Sequence, residues 1–181
     1  MKTRTSNPML TPHFALREFT ESPTAKKLGI DNSPPQEAID NLRRLCEGTL
    51  EPLREELQLP VVITSGYRCK VLNDFLIHAA RQSQHQFGYA ADFYVVSGSK
   101  FQVSGSRFQV SGSRRELLIR AFRLIITSPK IDFDKLILYP NFIHVSYVSP
   151  QANRHSVMLA EANGKYRAVT RADALVRCLE A

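Results

Sequence analysis

From Gln36 onward apolar residues recur at helical spacing, at Ile39, Leu42, Leu45, Leu53 and Leu57, interrupted by Gly48 and Pro52. That period predicts one long amphipathic helix, kinked or split near residues 48–52. Ahead of it, HFALREFTESPTAKKLGIDNSPP (13–35) mixes a short helical pattern with turn residues. Its end carries a helix-start signal, with Ser33 as the cap, Pro34 and Pro35 suited to the first turn and Glu37 favouring the positive end of the dipole. After Pro60 the pattern changes. VVIT (61–64) is β-branched and bounded by Ser65-Gly66, which predicts a buried strand running into a tight turn. YRCKVLNDFLIHAA (67–80) reads as a helix, AADFYVV (90–96) as a second strand, and RRELLIRAFRLII (114–126) as a helix that stops before Ser128-Pro129. KLILY (135–139) and FIHVSYV (142–148) are strand-like runs separated by Pro140-Asn141. SVMLAE (156–161) and KYRAV (165–169) flank Asn163-Gly164, the strongest short hairpin signal in the chain, and RADALVRCLE closes it as a helix. Helices first and hairpins afterwards predict an α+β domain: an antiparallel sheet flanked by helices from the N-terminal half.

One stretch breaks the pattern. VSGSKFQVSGSRFQVSGSR (96–114) contains FQVSGS twice in tandem, at 101–106 and 108–113, after a partial copy. Gly and Ser in each unit, and no second apolar heptad position, exclude a coiled coil, and so few units exclude a solenoid. Residues 97–113 are therefore expected to be an inserted surface loop within a single domain spanning 1–181.

Composition bounds the rest. A chain of 181 residues with 43% apolar and 23% charged residues is long enough for one sizeable core and has no signature of disorder. The longest apolar stretches fall well short of the ~20 residues that span a bilayer, so no membrane span is expected. MKTRTSNPMLTPHF has basic residues without an apolar run behind them and does not resemble a secretory signal. The expected location is cytoplasmic as synthesised, with release or export needed for work outside the cell. Cys46, Cys69 and Cys178 are odd in number, far apart and outside any CxxC arrangement, which argues against a disulfide framework or a cysteine zinc site. The net charge of +7 favours polyanionic surroundings, but the basic residues form no tract, and a solvated basic surface is the simpler account. No nucleic-acid partner is expected, and the protein is expected to be a monomer.

The chemistry gathers in SQHQFGYAAD (83–92), where His85 and Asp92 stand seven positions apart around Gly88, Ala90 and Ala91. A catalytic zinc ion takes three protein ligands and leaves a fourth position for water. A loop presenting His85, turning at Gly88 and entering a strand that carries Asp92 supplies two. FIHVSY (142–147) offers a third in His144, which alternation places on one face with Phe142 and Ser146, opposite Ile143, Val145 and Tyr147. From the residues alone, a lone strand histidine such as His144 is more often a hydrogen-bonded core residue than a ligand, and both readings stay open.

SGYR (65–68), SQHQFGYAAD (83–92) and FIHVSY (142–147) together resemble the zinc D-Ala-D-Ala carboxypeptidases and related peptidoglycan peptidases. That group includes the vancomycin-resistance D,D-dipeptidases and phage L-alanyl-D-glutamate endolysins, and shares a fold with lysostaphin-type enzymes and the Hedgehog signalling domain. Ser83, His85, Gly88, Ala90 and Asp92 meet every fixed position of the pattern S-x-H-x-x-G-x-A-x-D, and the likeness, to a small single-domain branch, covers roughly residues 12–160 apart from the repeats. The resemblance implies a Zn2+ cofactor held by His85, Asp92 and His144. It further implies that Arg68 holds a substrate carboxylate with its planar fork of donors, that Ser83 supports substrate or ligand orientation, and that the partners are peptidoglycan peptides.

In one respect the chain departs from the pattern. Many relatives carry a Glu or Asp shortly before the last histidine ligand, often three residues ahead, where this chain has Asn141. Residues 135–160 contain no carboxylate, and the nearest are Asp134 and Glu161. A missing general base typically costs about 10²–10⁴-fold in rate. Three readings stay open: Asp134 or another acid folds into the site as the base, a different group shuttles the proton, or the chain is a weak or inactive module that binds cell-wall peptides. Tyr139 and Tyr147 are two further hydrogen-bonding candidates.

Overall fold

The computed structural model describes residues 7–77, 79–97, 113–161 and 165–177. A small antiparallel pair, β1 (Met9–Thr11) and β2 (Phe14–Ala15), leads into α1 (Leu16–Thr20) and α2 (Pro23–Leu28). The long amphipathic segment follows as α3 (Gln36–Leu45), a π-helical turn (Cys46–Leu50) and α4 (Glu51–Leu57). The irregularity expected at 48–52 is thus one wide turn inside a continuous helix. Pro52 falls in the first turn of α4. The start of α3 differs from expectation: Pro35 occupies the capping position, no side chain caps, and the Ser33 backbone N–H bonds instead to Asp31 Oδ1 at 2.9 Å.

Beyond α4 come β3 (Val61–Ser65), α5 (Lys70–Phe75), β4 (Ala90–Val95), α6 (Arg114–Thr127), β5 (Lys135–Leu138), β6 (Ile143–Ser146), β7 (Ser156–Ala160), β8 (Tyr166–Val169) and α7 (Arg171–Arg177). α5 is shorter than the predicted 67–80, because residues 67–69 stay out of the helix as a loop. Most of the repeat segment, 98–112, and the Asn163-Gly164 turn lie outside the described residues, although β7 and β8 pair antiparallel on either side of that turn.

The strand order is β3-β4-β6-β5-β7-β8. Every pairing in this sheet is antiparallel except β5 with β7, so it is mixed, and the expectation of an antiparallel sheet is corrected there. The cause is the connection at 147–155. β6 ends beside the start of β5, and the chain passes beneath that start to begin β7 on the other side, pairing Lys135 with Ser156 in parallel. A second correction concerns the flanking helices. α6, from the second half, joins α3 and α4 in covering the sheet, with Leu118, Phe122 and Ile125 in the same buried cluster as Leu42, Leu45, Leu53 and Leu57.

Alternation along the central strands divides the sheet. Ala91, Phe93 and Val95 of β4, Ile143 and Val145 of β6, and Leu136 and Leu138 of β5 are buried in that cluster. The other face carries the register row Asp92, His144, Ile137 and Met158, one residue from each of four adjacent strands. Two polar residues on neighbouring strands thus stand side by side on the face opposite the helices.

Candidate metal centre

His85 reaches that row from a 3-10 turn, Gln84–Phe87, which precedes β4. The turn ends at Gly88 with φ +73°, and a Cβ there would lie 2.3 Å from the Ala38 carbonyl oxygen, so both conformation and space demand glycine. The His85 side chain is buried, and its Nδ1 lies 2.7 Å from the Gly66 carbonyl oxygen. A carbonyl only accepts, so Nδ1 carries the proton and Nε2 is left with its lone pair free.

Nε2 of His85 lies 3.3 Å from Nδ1 of His144 and 3.4 Å from Oδ1 of Asp92, and the latter two atoms are 2.8 Å apart. Among the described residues this is the cluster of potential ligand atoms that one ion could join. With bonds of about 2.0–2.1 Å, two ligands of a tetrahedral zinc ion stand about 3.3–3.4 Å apart. Two of the three separations match that edge, and the third is hydrogen-bond length, so the donors fit the ion by number, kind and spacing. Protonation agrees. Burial alone would raise the Asp92 carboxyl, but the adjoining His85 and His144 imidazoles outweigh it and hold the carboxyl well below the usual carboxylate range. Burial lowers the pKa of His144 despite the opposing pull of Asp92, favouring the neutral, ligand-competent imidazole.

Arg68 and Ser83 lie together at the loop beside this cluster. The Arg68 backbone N–H donates to the His85 carbonyl at 3.2 Å, and its Nη2 donates to Ser83 Oγ at 3.3 Å. Burial lowers the guanidinium pKa while the Asp92 charge opposes that shift. Its Nε is buried without a hydrogen-bond partner among the described residues. A donor so placed is costly unless something binds it.

Asp134 is engaged elsewhere. It is fully buried, stands outside the ligand cluster, and takes a two-pronged ion pair from Arg154, with Nε to Oδ1 at 2.7 Å and Nη2 to Oδ2 at 2.6 Å. Burial would raise its carboxyl, but the hydrogen bonds from Arg154 and Gln84 hold it well below the usual range, a poor setting for a group that must take up a proton. These contacts count against the expected role of Asp134 as the base. Glu161, the other nearby acid, faces Arg167 at 3.6 Å. The tyrosines also separate. Tyr147 packs against Gly48, with its hydroxyl raised by burial and then by Asp132. Tyr139 stacks on Phe142 with centroids 4.3 Å apart, and burial followed by the Asp92 charge raises its hydroxyl, which places it in the electrostatic reach of the cluster.

Three supporting groups had no signal in the sequence. The Gly66 carbonyl orients His85, and Gln84 bonds Asp134. Asn32 clamps the Arg68 loop, its Nδ2 donating to the Tyr67 carbonyl at 3.1 Å and its Oδ1 accepting from the Cys69 N–H at 2.8 Å. Their partners are backbone atoms or distant side chains, which local patterns do not encode.

An α+β fold that brings two imidazoles and a carboxylate to one point can hold a divalent metal, and the donors alone suit ferrous iron as well as zinc. Residues 12–119 match the family model described as Peptidase M15, and the chain belongs to that family of zinc-dependent metallopeptidases. The matched segment contains Arg68, Ser83, His85 and Asp92, while His144 lies beyond it. No curated protein matches the chain. No helix among the described residues is long and apolar enough to cross a membrane.

Proposed function

We propose that this chain is a zinc peptidase that hydrolyses peptide bonds in peptidoglycan peptides, of the D-Ala-D-Ala carboxypeptidase type, with His85, Asp92 and His144 holding the ion. The observation that carries this reading is the triangle of Nε2, Oδ1 and Nδ1 atoms with sides of 3.4, 2.8 and 3.3 Å. Zinc bound there supplies an activated water, with its pKa lowered towards about 7, and polarises the scissile carbonyl. Arg68, with one donor on Ser83 and Nε unengaged, is suited to a substrate carboxylate and so to a peptide end. Tyr139, kept protonated, is suited to donate a hydrogen bond to the oxygen that gains charge as the amide is attacked. The protein acts as a monomer and reaches the wall by release or export.

Incubating the zinc-loaded protein with muropeptides and following products by mass spectrometry tests the reading. Wild type is expected to release a terminal residue and His85→Ala to release none. Equal cleavage by the two, or none by wild type, overturns it.

A second reading is favoured by one observation: among the described residues, Asp92 is the only carboxylate in the ligand cluster. A zinc-containing module that binds cell-wall peptides without cutting them needs no proton carrier. It predicts metal-dependent peptide binding with no turnover, and reproducible metal-dependent turnover eliminates it.

A further inference from the structure

Asp134 lies where three chain segments meet, two of which carry a metal-ligand candidate. Its Oδ2 accepts from Nε2 of Gln84 at 2.8 Å, from Oγ of Ser146 at 3.3 Å and from Nη2 of Arg154 at 2.6 Å. Its Oδ1 accepts the backbone N–H of Arg154 at 3.0 Å and Nε at 2.7 Å. Gln84 is the neighbour of His85 in the 3-10 turn, and Ser146 follows His144 by two residues on the same face of β6. A carboxylate offers about four lone-pair sites, so these contacts leave none for a reacting proton. They also join the turn that carries His85 to the strand that carries His144.

The backbone reinforces the junction. The Asp134 N–H donates to the Ser146 carbonyl at 2.7 Å, the Ser156 N–H to the Asp134 carbonyl at 2.9 Å, and Ser146 Oγ also accepts from the Lys135 N–H at 3.1 Å. The carboxylate therefore sits on a fixed platform, the start of β5, while Gln84 belongs to a short turn. Of the two histidine-bearing segments the turn lies outside the sheet ladder, and the Gln84 bond ties it to that platform.

We infer that Asp134 is a positioning residue for the metal centre: through Gln84 and Ser146 it fixes the spacing between the 84–87 turn and β6, and with it the 3.3 Å separation of His85 Nε2 from His144 Nδ1. Arg154 supplies the counter-charge that keeps the buried carboxylate ionised and in place. The acid nearest to His144 in sequence thus acts on the metal through the ligands' spacing and not as a proton carrier. This inference rests on His85, Asp92 and His144 being the ligands.

The test is a zinc titration of the metal-free protein against a chromophoric chelator, beside thermal melts of the same samples without metal. Gln84→Ala removes one link and leaves the Asp134–Arg154 pair intact. It is expected to bind zinc roughly tenfold more weakly, at the lower end of what outer partners of metal ligands are worth, with a metal-free Tm within about 3 °C of wild type. Asp134→Asn is expected to bind more weakly still and to regain turnover as zinc is raised. Two results overturn the inference: zinc affinity unchanged in Gln84→Ala, or an Asp134→Asn protein that holds zinc as tightly as wild type yet loses turnover. The first stands even if Asp134→Asn does not fold. A wild type that binds no zinc sinks the proposed function itself, and the inference with it, in the first arm of the same titration.

Discussion

His85 donates its Nδ1 proton to the carbonyl of Gly66 at 2.7 Å, and that single bond decides which nitrogen faces Asp92 and His144. The bond depends on the Ser65-Gly66 turn lying close against α1. A Cβ on residue 66 would come within 2.5 Å of the Phe19 carbonyl oxygen and 2.6 Å of its Cα. Both are backbone atoms that cannot swing aside. Gly66→Ala is therefore expected to cost about 1–3 kcal/mol in stability through overpacking. It is also expected to weaken zinc binding about 10- to 100-fold by displacing the carbonyl that fixes the tautomer. Thermal unfolding and a chelator-competition titration measure the two effects. A variant with wild-type zinc affinity would show that the Gly66 carbonyl does not orient the ligand.

Much of this centre was legible in the chain because its chemistry is local. His85, Gly88 and Asp92 fall within one short stretch, and the alternation of FIHVSY put His144 on the face opposite Ile143 and Val145, as the sheet has it. The parallel pairing of β5 with β7 was not legible, because it depends on where the 147–155 connection passes, and hairpin signals describe only neighbours in sequence. The pairing of Asp134 with Arg154 was not legible for the same reason. Its partner Arg154 lies 20 residues away and meets it only once that connection has folded back.

Tyr139 carries a prediction separable from metal binding. It stands two residues beyond Ile137, the register partner of His144, and its stacking on Phe142 holds the ring at that end of the site. Tyr139→Phe keeps the stack and removes only the hydroxyl. The expected outcome is a fall in kcat of roughly 10²-fold, the scale of one oxyanion donor, with zinc affinity unchanged. Steady-state kinetics on a muropeptide beside the zinc titration check it. Unchanged kcat would assign the ring to packing alone.

The Asp134–Arg154 pair gives a pH dependence of fixed sign. The folded protein holds the Asp134 carboxyl well below the usual aspartate value of 3.8, chiefly because hydrogen bonds from Arg154 and Gln84 outweigh burial. At low pH the unfolded chain therefore binds a proton that the folded one does not. The stabilisation is fully present above about 3.8 and is lost as pH falls below it, with a slope of at most about 1.4 kcal/mol per pH unit for one proton. Urea unfolding at pH 6 and pH 3 measures it. Arg154→Ala, at a side chain 59% exposed, is expected to be less stable than wild type at pH 6 and to lose less on going to pH 3. An equal loss in both proteins would contradict the pairing.

The Arg68 guanidinium yields the sharpest test of what the site reads. Its Nη2 is spent on Ser83, and its Nε is buried with no partner among the described residues, so a ligand with a planar anionic group meets an unmet donor. Hydrogen bonds to a charged group are worth about 1.5–3 kcal/mol, which translates to roughly 10- to 100-fold in kcat/KM. Arg68→Ala is expected to lose that factor on a peptide ending in a free carboxylate. The Lys variant is expected to recover little of it, because a point charge on a flexible stem does not reproduce the fork. Amidating the peptide's C-terminus supplies the control. Wild type should then fall to the level of Arg68→Ala, while Arg68→Ala should be indifferent to the change, since the two losses remove opposite halves of one contact. Should wild type cleave the amidated peptide as well as the acid, Arg68 does not read a terminal carboxylate, and the site belongs to an endopeptidase that cuts within the chain of its substrate.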